Sequence, residues 1–254
     1  MKKGDLTLII PTYHEEHRIG RSLEDLASFL TAHKEELDGV SVVLVDGGSE
    51  DKTRQIAMTK AELFGDFRVD NLGQKGKGRQ IKYAMTHYEG RYLLFMDADM
   101  ATPLPHLLEM AKHIDDGSKV VIGIRDLEKS HKGLVRKTIS WGGNFLVQLL
   151  ILPGIKDTQC GFKMFERDAA RDVFSRSRML GWSFDMEALA IARKRGYRIQ
   201  TLPLPDWKDV AGGTFGAQAS SAALQTLKDL FIIRMRLWMG VYKHPWKLDQ
   251  RIAE

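Results

Sequence analysis

Cysteine is nearly absent from this chain, whose 254 residues include only Cys160. No disulfide can close within it, so a disulfide-stapled secreted fold is excluded and a reducing compartment is expected. With no activating neighbour in sequence, Cys160 reads as a packed turn residue, not a nucleophile. Proline is sparse, at 7 residues, and there is no Pro/Ser-rich linker, low-complexity tract or internal repeat to divide the chain. Long apolar runs are missing too. The longest, Phe145 to Ile155, is interrupted by Gln148 and Pro153 and falls short of the roughly 20 residues that cross a bilayer. Pro11 breaks the first apolar run, so no secretory leader is expected. The 8 histidines show no metal-ligand spacing. Neither sign of charge dominates: 38 Lys+Arg against 33 Asp+Glu leave +5. That mild excess suits phosphate-bearing ligands or an anionic membrane surface, and no nucleic-acid partner is expected.

What the sequence does contain is an alternation of strands and helices. Leu6–Ile10, Val40–Val45, Arg68–Asp70, Tyr92–Met96 and Lys119–Ile124 read as strands. Between them, helices are expected at Ile19–Leu30 (from the spacing of Ile19, Leu23, Leu26 and Leu30), Asp51–Phe64, Gly78–Tyr88 and Leu104–Ile114. This order predicts a single α/β domain with a mostly parallel sheet between helices. The second half, from about Gly133, is less regular and more aromatic, as befits a segment that shapes an acceptor site.

Two of the apolar strands finish in acids. Val42-Val43-Leu44-Val45 runs into Asp46-Gly47-Gly48-Ser49, and Leu93-Leu94-Phe95-Met96 into Asp97-Ala98-Asp99. Ligands of parallel sheets collect at the strands' carboxyl ends. Two carboxylates there, one residue apart, can hold a hard divalent cation against a diphosphate. Two further segments fit that rim: Pro11-Thr12-Tyr13-His14-Glu15 after the first strand, and Lys75-Gly76-Lys77-Gly78-Arg79 at a helix start, where phosphate can sit. Taken singly, each segment also fits an ordinary turn or cap; their order is what is specific.

Together these segments resemble glycosyltransferase family 2 of the GT-A (Rossmann-like) fold, and within it the dolichyl-phosphate glucosyl- and mannosyltransferase branch. Pro11–Glu15 is similar to the family's Pro-x-Tyr-Asn-Glu, with His14 in place of Asn. Val45–Thr53 resembles its Val-Asp-Asp-Gly-Ser-x-Asp-x-Thr, with Gly47 in place of the second acid. Gly76-Lys77-Gly78 matches the phosphate loop and Asp97-Ala98-Asp99 the metal motif. Asp157-Thr158-Gln159-Cys160-Gly161-Phe162-Lys163 and Trp182–Glu187 look like the glucosyl branch. The resemblance implies that Pro11, Tyr13, Glu15 and Asp46 hold the nucleoside, and that Lys75, Gly76 and Lys77 meet phosphate. It implies that Asp97 and Asp99 bind Mg²⁺ or Mn²⁺ with the diphosphate, and that Asp157, Gln159 and Lys163 line the substrate. Arg125 and Arg136 fall where the branch places arginines for the acceptor phosphate, so the catalytic set becomes Asp99, Asp185, Arg125 and Arg136. Residues 1–125 then form the nucleotide-sugar half, 126–220 the acceptor half and 221–254 a membrane-associating segment.

Departure of a sugar from a diphosphate builds negative charge on the leaving phosphate, which a cation at Asp97 and Asp99 stabilises. A hydroxyl acceptor needs a carboxylate base, for which Asp185 and Asp157 are the candidates. A lipid monophosphate does not, being anionic already near pH 7; it needs cations, and Arg125 and Arg136 suit it. The favoured reading is inverting transfer of a hexose, glucose from UDP-glucose, to a polyprenyl phosphate, by a peripheral enzyme on the cytoplasmic face of a membrane. A hydroxyl acceptor is the alternative, and a non-enzymatic nucleotide-binding scaffold the third reading.

The carboxyl-terminal region bears on the acceptor. Leu224, Leu227, Phe231, Met235, Trp238 and Tyr242 recur at helical spacing beside Lys228, Arg234, Arg236 and Lys243. Such a helix either packs on the enzyme or lies at a membrane interface. A helix over Leu134–Leu152 is its expected partner in an apolar trough. One departure stands out: Trp207–Thr214 ends in Gly213-Thr214 where the lipid-phosphate branch carries Gly-Ser-Lys.

Overall fold

The computed structural model describes residues 4–126, 143, 146–207 and 219–246. Strands β1 (Leu6–Thr12), β2 (Ser41–Asp46), β3 (Phe67–Asn71), β4 (Tyr92–Met96), β5 (Val120–Arg125), β6 (Phe162–Glu166) and β7 (Ile199–Leu204) form one sheet in the order β3-β2-β1-β4-β6-β5-β7. Helices α1 (Ile19–Ala32), α2 (Thr53–Thr59), α3 (Lys77–His87) and α4 (His106–Asp115) connect the first strands. A short α5 (146–150) precedes β6, and α6 (Arg167–Phe174), α7 (Phe184–Lys194) and α8 (Ala219–Trp238) complete the described helices.

Every residue of β1 and β4 is buried, because helices cover both faces of the sheet. Alternate side chains serve opposite cores. Ile9, Val43, Leu93 and Phe95 face α3, α6 and α7, while Leu8, Ile10, Val42, Leu44 and Leu94 face α1, α2 and α4. The expected mostly parallel α/β architecture is therefore present, with two differences. The helix expected over Asp51–Phe64 is α2 alone, followed by a 3₁₀ turn at Ala61–Leu63. The less regular second half also inserts β6, antiparallel to both neighbours, between β4 and β5.

That insertion shapes the site. Phe162 pairs with Met96, so one step further along the antiparallel register Gly161 meets Asp97. A Cβ on Gly161 would lie 1.9 Å from Asp97 Oδ2; only glycine leaves the carboxylate its place.

The apolar stripe of α8, for which the sequence leaves both packing on the enzyme and a membrane interface open, is divided. Leu230 and Ile233, and Tyr242 beyond the helix, are buried against the body, while Leu224, Phe231, Met235 and Trp238 stand in solvent. Among the described residues, no helix is long and apolar enough to cross a membrane. Most of the helix expected over Leu134–Leu152 falls outside the described residues.

Candidate active site

The ends of β1 and β2 are bound together by polar groups. Asp46 is fully buried. Its Oδ1 accepts from Thr12 Oγ1 (3.0 Å) and Ser49 Oγ (2.6 Å), and its Oδ2 from the N–H groups of Gly48 (3.0 Å) and Ser49 (2.7 Å). A short polar side chain satisfying its own turn in this way is typical of Asp. On α3, Gln80 donates its amide to Thr12 O and Val45 O, both at 2.7 Å, pinning the strand ends where they open into loops. The neighbouring loop carries Tyr13, 40% exposed and stacked on His14 at 4.0 Å. His14 is left-handed (φ 57°), a conformation in which Asn, Asp and His are enriched. This accounts for histidine at a position where asparagine is usual. Pro11 is buried within β1, beside Val45.

Past β4, Asp97 and Asp99 stand at the sheet's carboxyl edge. Lys77 Nζ donates to Asp97 Oδ1 at 2.5 Å, and Asp99 Oδ1 accepts from Ala101 N at 3.1 Å. Burial raises the Asp99 pKa, and the Asp97 charge raises it further. Glu15 is raised in the same way, by burial and then by Asp99 and Asp97, against the opposing pull of Arg18, whose Nε is 2.8 Å from Glu15 Oε2. Burial lowers the Lys77 pKa, but Asp97 and Asp185 outweigh it and hold the ammonium charged. Among the described residues, Glu15, Asp97 and Asp99 thus face one another at this rim, with Arg18 beside Glu15 and Lys77 beside Asp97.

Among the described residues, no three His, Cys, Asp or Glu side chains converge into a ready cation cage. The fit is to a shared site: Mg²⁺-type ions commonly take one or two carboxylates and complete their oxygen shell from substrate phosphates and water. Asp97, 37% exposed at its side chain, and Asp99 are the pair that would hold such an ion.

The loop from Arg178 to Ser183 closes over the Gly76-Lys77-Gly78 turn. Gly76, at φ 142°, would place a Cβ 2.6 Å from Leu180 O, and Gly78 one 2.6 Å from Met179 O. Arg79 N donates to Leu180 O at 3.1 Å, and Lys77 Nζ lies 5.4 Å from the Trp182 ring centroid. Lys75 is exposed at the rim.

The acceptor-side candidates are tied into two ion pairs. Arg125 grips Asp157 with Nε (2.7 Å to Oδ2) and Nη2 (3.0 Å to Oδ1), and its own N–H adds a bond to Oδ2 at 3.1 Å. Gln159 N fills the remaining side of Asp157 Oδ1 at 3.1 Å, while the Gln159 side chain is exposed. Burial raises the Asp157 pKa, but Arg125 overrides it and the carboxyl is held below its ordinary value. Arg125 also stacks on Trp207, 5.1 Å from its centroid. Lys163 Nζ donates to Asp185 Oδ1 at 2.6 Å and to Cys160 O. Burial raises the Asp185 pKa and pushes the Cys160 thiol up to about 12, which fits a packed, inert cysteine.

Expected at the substrate, Asp46, Asp157 and Lys163 are instead 0%, 4% and 1% exposed, with their hydrogen-bonding groups engaged inside the chain. They hold the loops that reach the site. Asp185, 3% exposed, is likewise enclosed. Arg136 lies outside the described residues. Reading the sequence missed Arg18, Gln80 and the packing role of Gly161; Gly161, inside a quoted motif, and Arg18, three residues after Glu15, carried a signal, and Gln80 did not.

Residues 7–174 match the family described as glycosyl transferase family 2. A dolichyl-phosphate beta-glucosyltransferase of Saccharomyces cerevisiae is 32% identical over 264 residues, covering 94% of this chain and 76% of that protein. The Homo sapiens enzyme of that name is 31% identical, covering 96% and 78%. Among solved structures, mannosyl-3-phosphoglycerate synthase from Rubrobacter xylanophilus superposes with a TM-score of 0.68 at 16% identity, covering 92% of this chain and 75% of that one. A Pyrobaculum calidifontis mannosyltransferase, in complex with GDP-Man and Mn²⁺, gives 0.60 at 20%, covering 93% and 65%. The likeness to these two structures is one of fold.

Proposed function

The chain belongs to glycosyltransferase family 2, and from that premise we propose that it moves glucose from UDP-glucose onto a polyprenyl phosphate of the dolichyl type, with inversion. The relatives' names support that donor sugar and acceptor. The observation that carries the choice of a phosphate acceptor over a hydroxyl is the state of the two candidate bases. Asp157 has four hydrogen bonds from Arg125 and Gln159, and Asp185 is enclosed with Lys163. A hydroxyl nucleophile needs a carboxylate within reach; a phosphate monoester oxygen brings its own charge.

In this reading Tyr13 and Glu15 receive the nucleoside, on a loop that Asp46 and Gln80 keep in place. Lys77 lies beside the diphosphate and moves no proton. When bound at Asp97 and Asp99, Mg²⁺ or Mn²⁺ neutralises charge on the departing diphosphate. Arg125, fixed by Asp157 and backed by Trp207, offers a pre-oriented cation toward the acceptor phosphate, and Arg136 is proposed as its companion. A non-bridging phosphate oxygen of the polyprenyl phosphate then attacks the anomeric carbon from the face opposite the diphosphate, the bond from that carbon to the diphosphate breaks as UDP leaves, and the product is the β-linked sugar phosphate.

The exposed Leu224, Phe231, Met235 and Trp238 of α8, beside Lys228 and Arg234, are assigned to the headgroup region of the membrane's cytoplasmic face. Residues 1–125 serve the donor, 126–220 the acceptor and 221–254 the membrane. The test is incubation with labelled UDP-glucose and either polyprenyl phosphate or soluble sugars. Label in the organic extract is expected. Label only in the aqueous sugars, abolished by Asp185→Asn, would establish the hydroxyl reading instead.

A further inference from the structure

Glu187 is a buried charge that the chemistry above does not use. It sits on α7 two residues beyond Asp185 and is fully buried. Its Oε2 accepts the backbone N–H groups of Arg178 (2.6 Å) and Met179 (2.7 Å). Its Oε1 accepts the Tyr242 hydroxyl at 2.7 Å, with Arg236 Nη1 3.4 Å away. Removing a carboxylate from water is costly and is sustained only where its oxygens are well satisfied. An apolar residue would pack α7 more cheaply, so the position needs a hydrogen-bonding hub.

Its contacts run in two directions. Towards the site, the loop that Glu187 grips at Arg178 and Met179 is the one whose carbonyls lie against the phosphate turn: Met179 O over Gly78 and Leu180 O over Gly76, with Leu180 O bonded to Arg79 N. Lys77, within that turn, meets Asp97. In the other direction, Arg236 belongs to α8 and Tyr242 to the 3₁₀ turn after it, the segment whose outer face exposes Phe231, Met235 and Trp238. A second tie holds the same loop. Lys82 of α3 donates to Ser177 O (2.8 Å) and Trp246 O (2.9 Å), and Trp246 N donates to Ser175 O at 2.8 Å.

We propose that Glu187 is a positioning residue for the donor diphosphate: it seats the 178–181 loop on the Gly76-Lys77-Gly78 turn, and the docked Tyr242 and Arg236 hold it in place. The proposal rests on the reading of that turn as the diphosphate site. Seen this way, the carboxyl-terminal segment is part of the donor site's support as well as a lipid-facing element.

Tyr242→Phe removes one hydroxyl and keeps the ring, so it leaves the fold intact; Glu187→Gln keeps the shape but loses the charge and half the accepting capacity. Loss of a bond to a charged group, transmitted in part, should raise the donor KM by about threefold to tenfold. The Kd for UDP, titrated directly, should rise in parallel, while the polyprenyl-phosphate KM stays within about twofold. Glu187→Gln should show the larger effect. A merely structural role would lower Tm and the active fraction, hence kcat, without moving donor KM. Unchanged donor KM and UDP Kd in Tyr242→Phe overturn the proposal, whether or not Glu187→Gln folds. A wild-type protein that binds UDP yet glycosylates no lipid phosphate would refute the acceptor assignment alone, and the UDP titrations would still decide this one.

Discussion

Gly161→Ala adds a single methyl group at the tightest contact of the site. That Cβ would lie 1.9 Å from Asp97 Oδ2, 2.3 Å from Cγ and 2.6 Å from Oδ1, where ordinary contact begins near 3.4 Å. The carboxylate must therefore retreat by about 1.5 Å, or β6 must part from β4. Retreat is the cheaper course, because the Asp97 side chain is 37% exposed and can swing outward. The fold should then lose only about 1 kcal/mol, a fall in Tm of about 2–4 °C. The chemistry should lose far more, since a misplacement of about 1 Å at a reacting group costs on the order of 10²-fold. The assay is kcat/KM for lipid-extractable label, with Tm from calorimetry on the same preparations. Gly65→Ala, whose new methyl meets nothing within 4 Å, is the control and should match wild type in both. A Gly161→Ala enzyme with kcat/KM within threefold of wild type would refute the reasoning.

Two other outcomes follow from the same geometry. His106 is enclosed between Asp206 (2.6 Å) and Glu109 (3.0 Å). Burial lowers its pKa, but the hydrogen bonds and charges of the two carboxylates outweigh that and leave it raised. A raised histidine contributes stability that is complete below its unfolded value, about 6.5, and is lost as pH climbs through the folded value. The Tm gap between wild type and His106→Gln should thus be widest near pH 6 and shrink toward pH 9; a gap independent of pH contradicts the clasp. On α8, Trp238 is 84% and Phe231 59% exposed. Replacing either by Ser should leave Tm unchanged and weaken sedimentation with anionic vesicles by about tenfold, given the free energy of burying one such ring. Equal sedimentation would remove α8 from the membrane.

The strands that carry the site were legible because their apolar runs end abruptly in acids: Val42–Asp46 and Leu93–Asp97 need no tertiary knowledge. β6 was not, since Phe162-Lys163-Met164-Phe165 puts a cation in a strand buried on both faces. What permits it is Asp185, 22 positions away and 2.6 Å from Lys163 Nζ. Gln80 escaped notice for the same reason: its partners, the carbonyls of Thr12 and Val45, lie 68 and 35 positions away and are assigned only by the fold. Arg18, by contrast, stands three residues after Glu15, a spacing at which side chains can meet, but at the start of α1 it reads as an ordinary solvated cation. Periodicity correctly found α8 but carried it through Tyr242, on the face of Phe231, Met235 and Trp238, whereas the helix ends at Trp238. The chain turns at Gly240, left-handed at φ 70°, and the break in helical phase carries the Tyr242 ring inward to Glu187.

The most direct measurement of the central assignment is calorimetric titration of UDP into wild type and the Asp97→Asn/Asp99→Asn variant, each with and without Mn²⁺. Wild-type affinity should rise steeply when the ion is added, and the double variant should bind weakly and without regard to it. Equal, ion-independent affinity in the two proteins would contradict the assignment of these carboxylates to the metal and diphosphate.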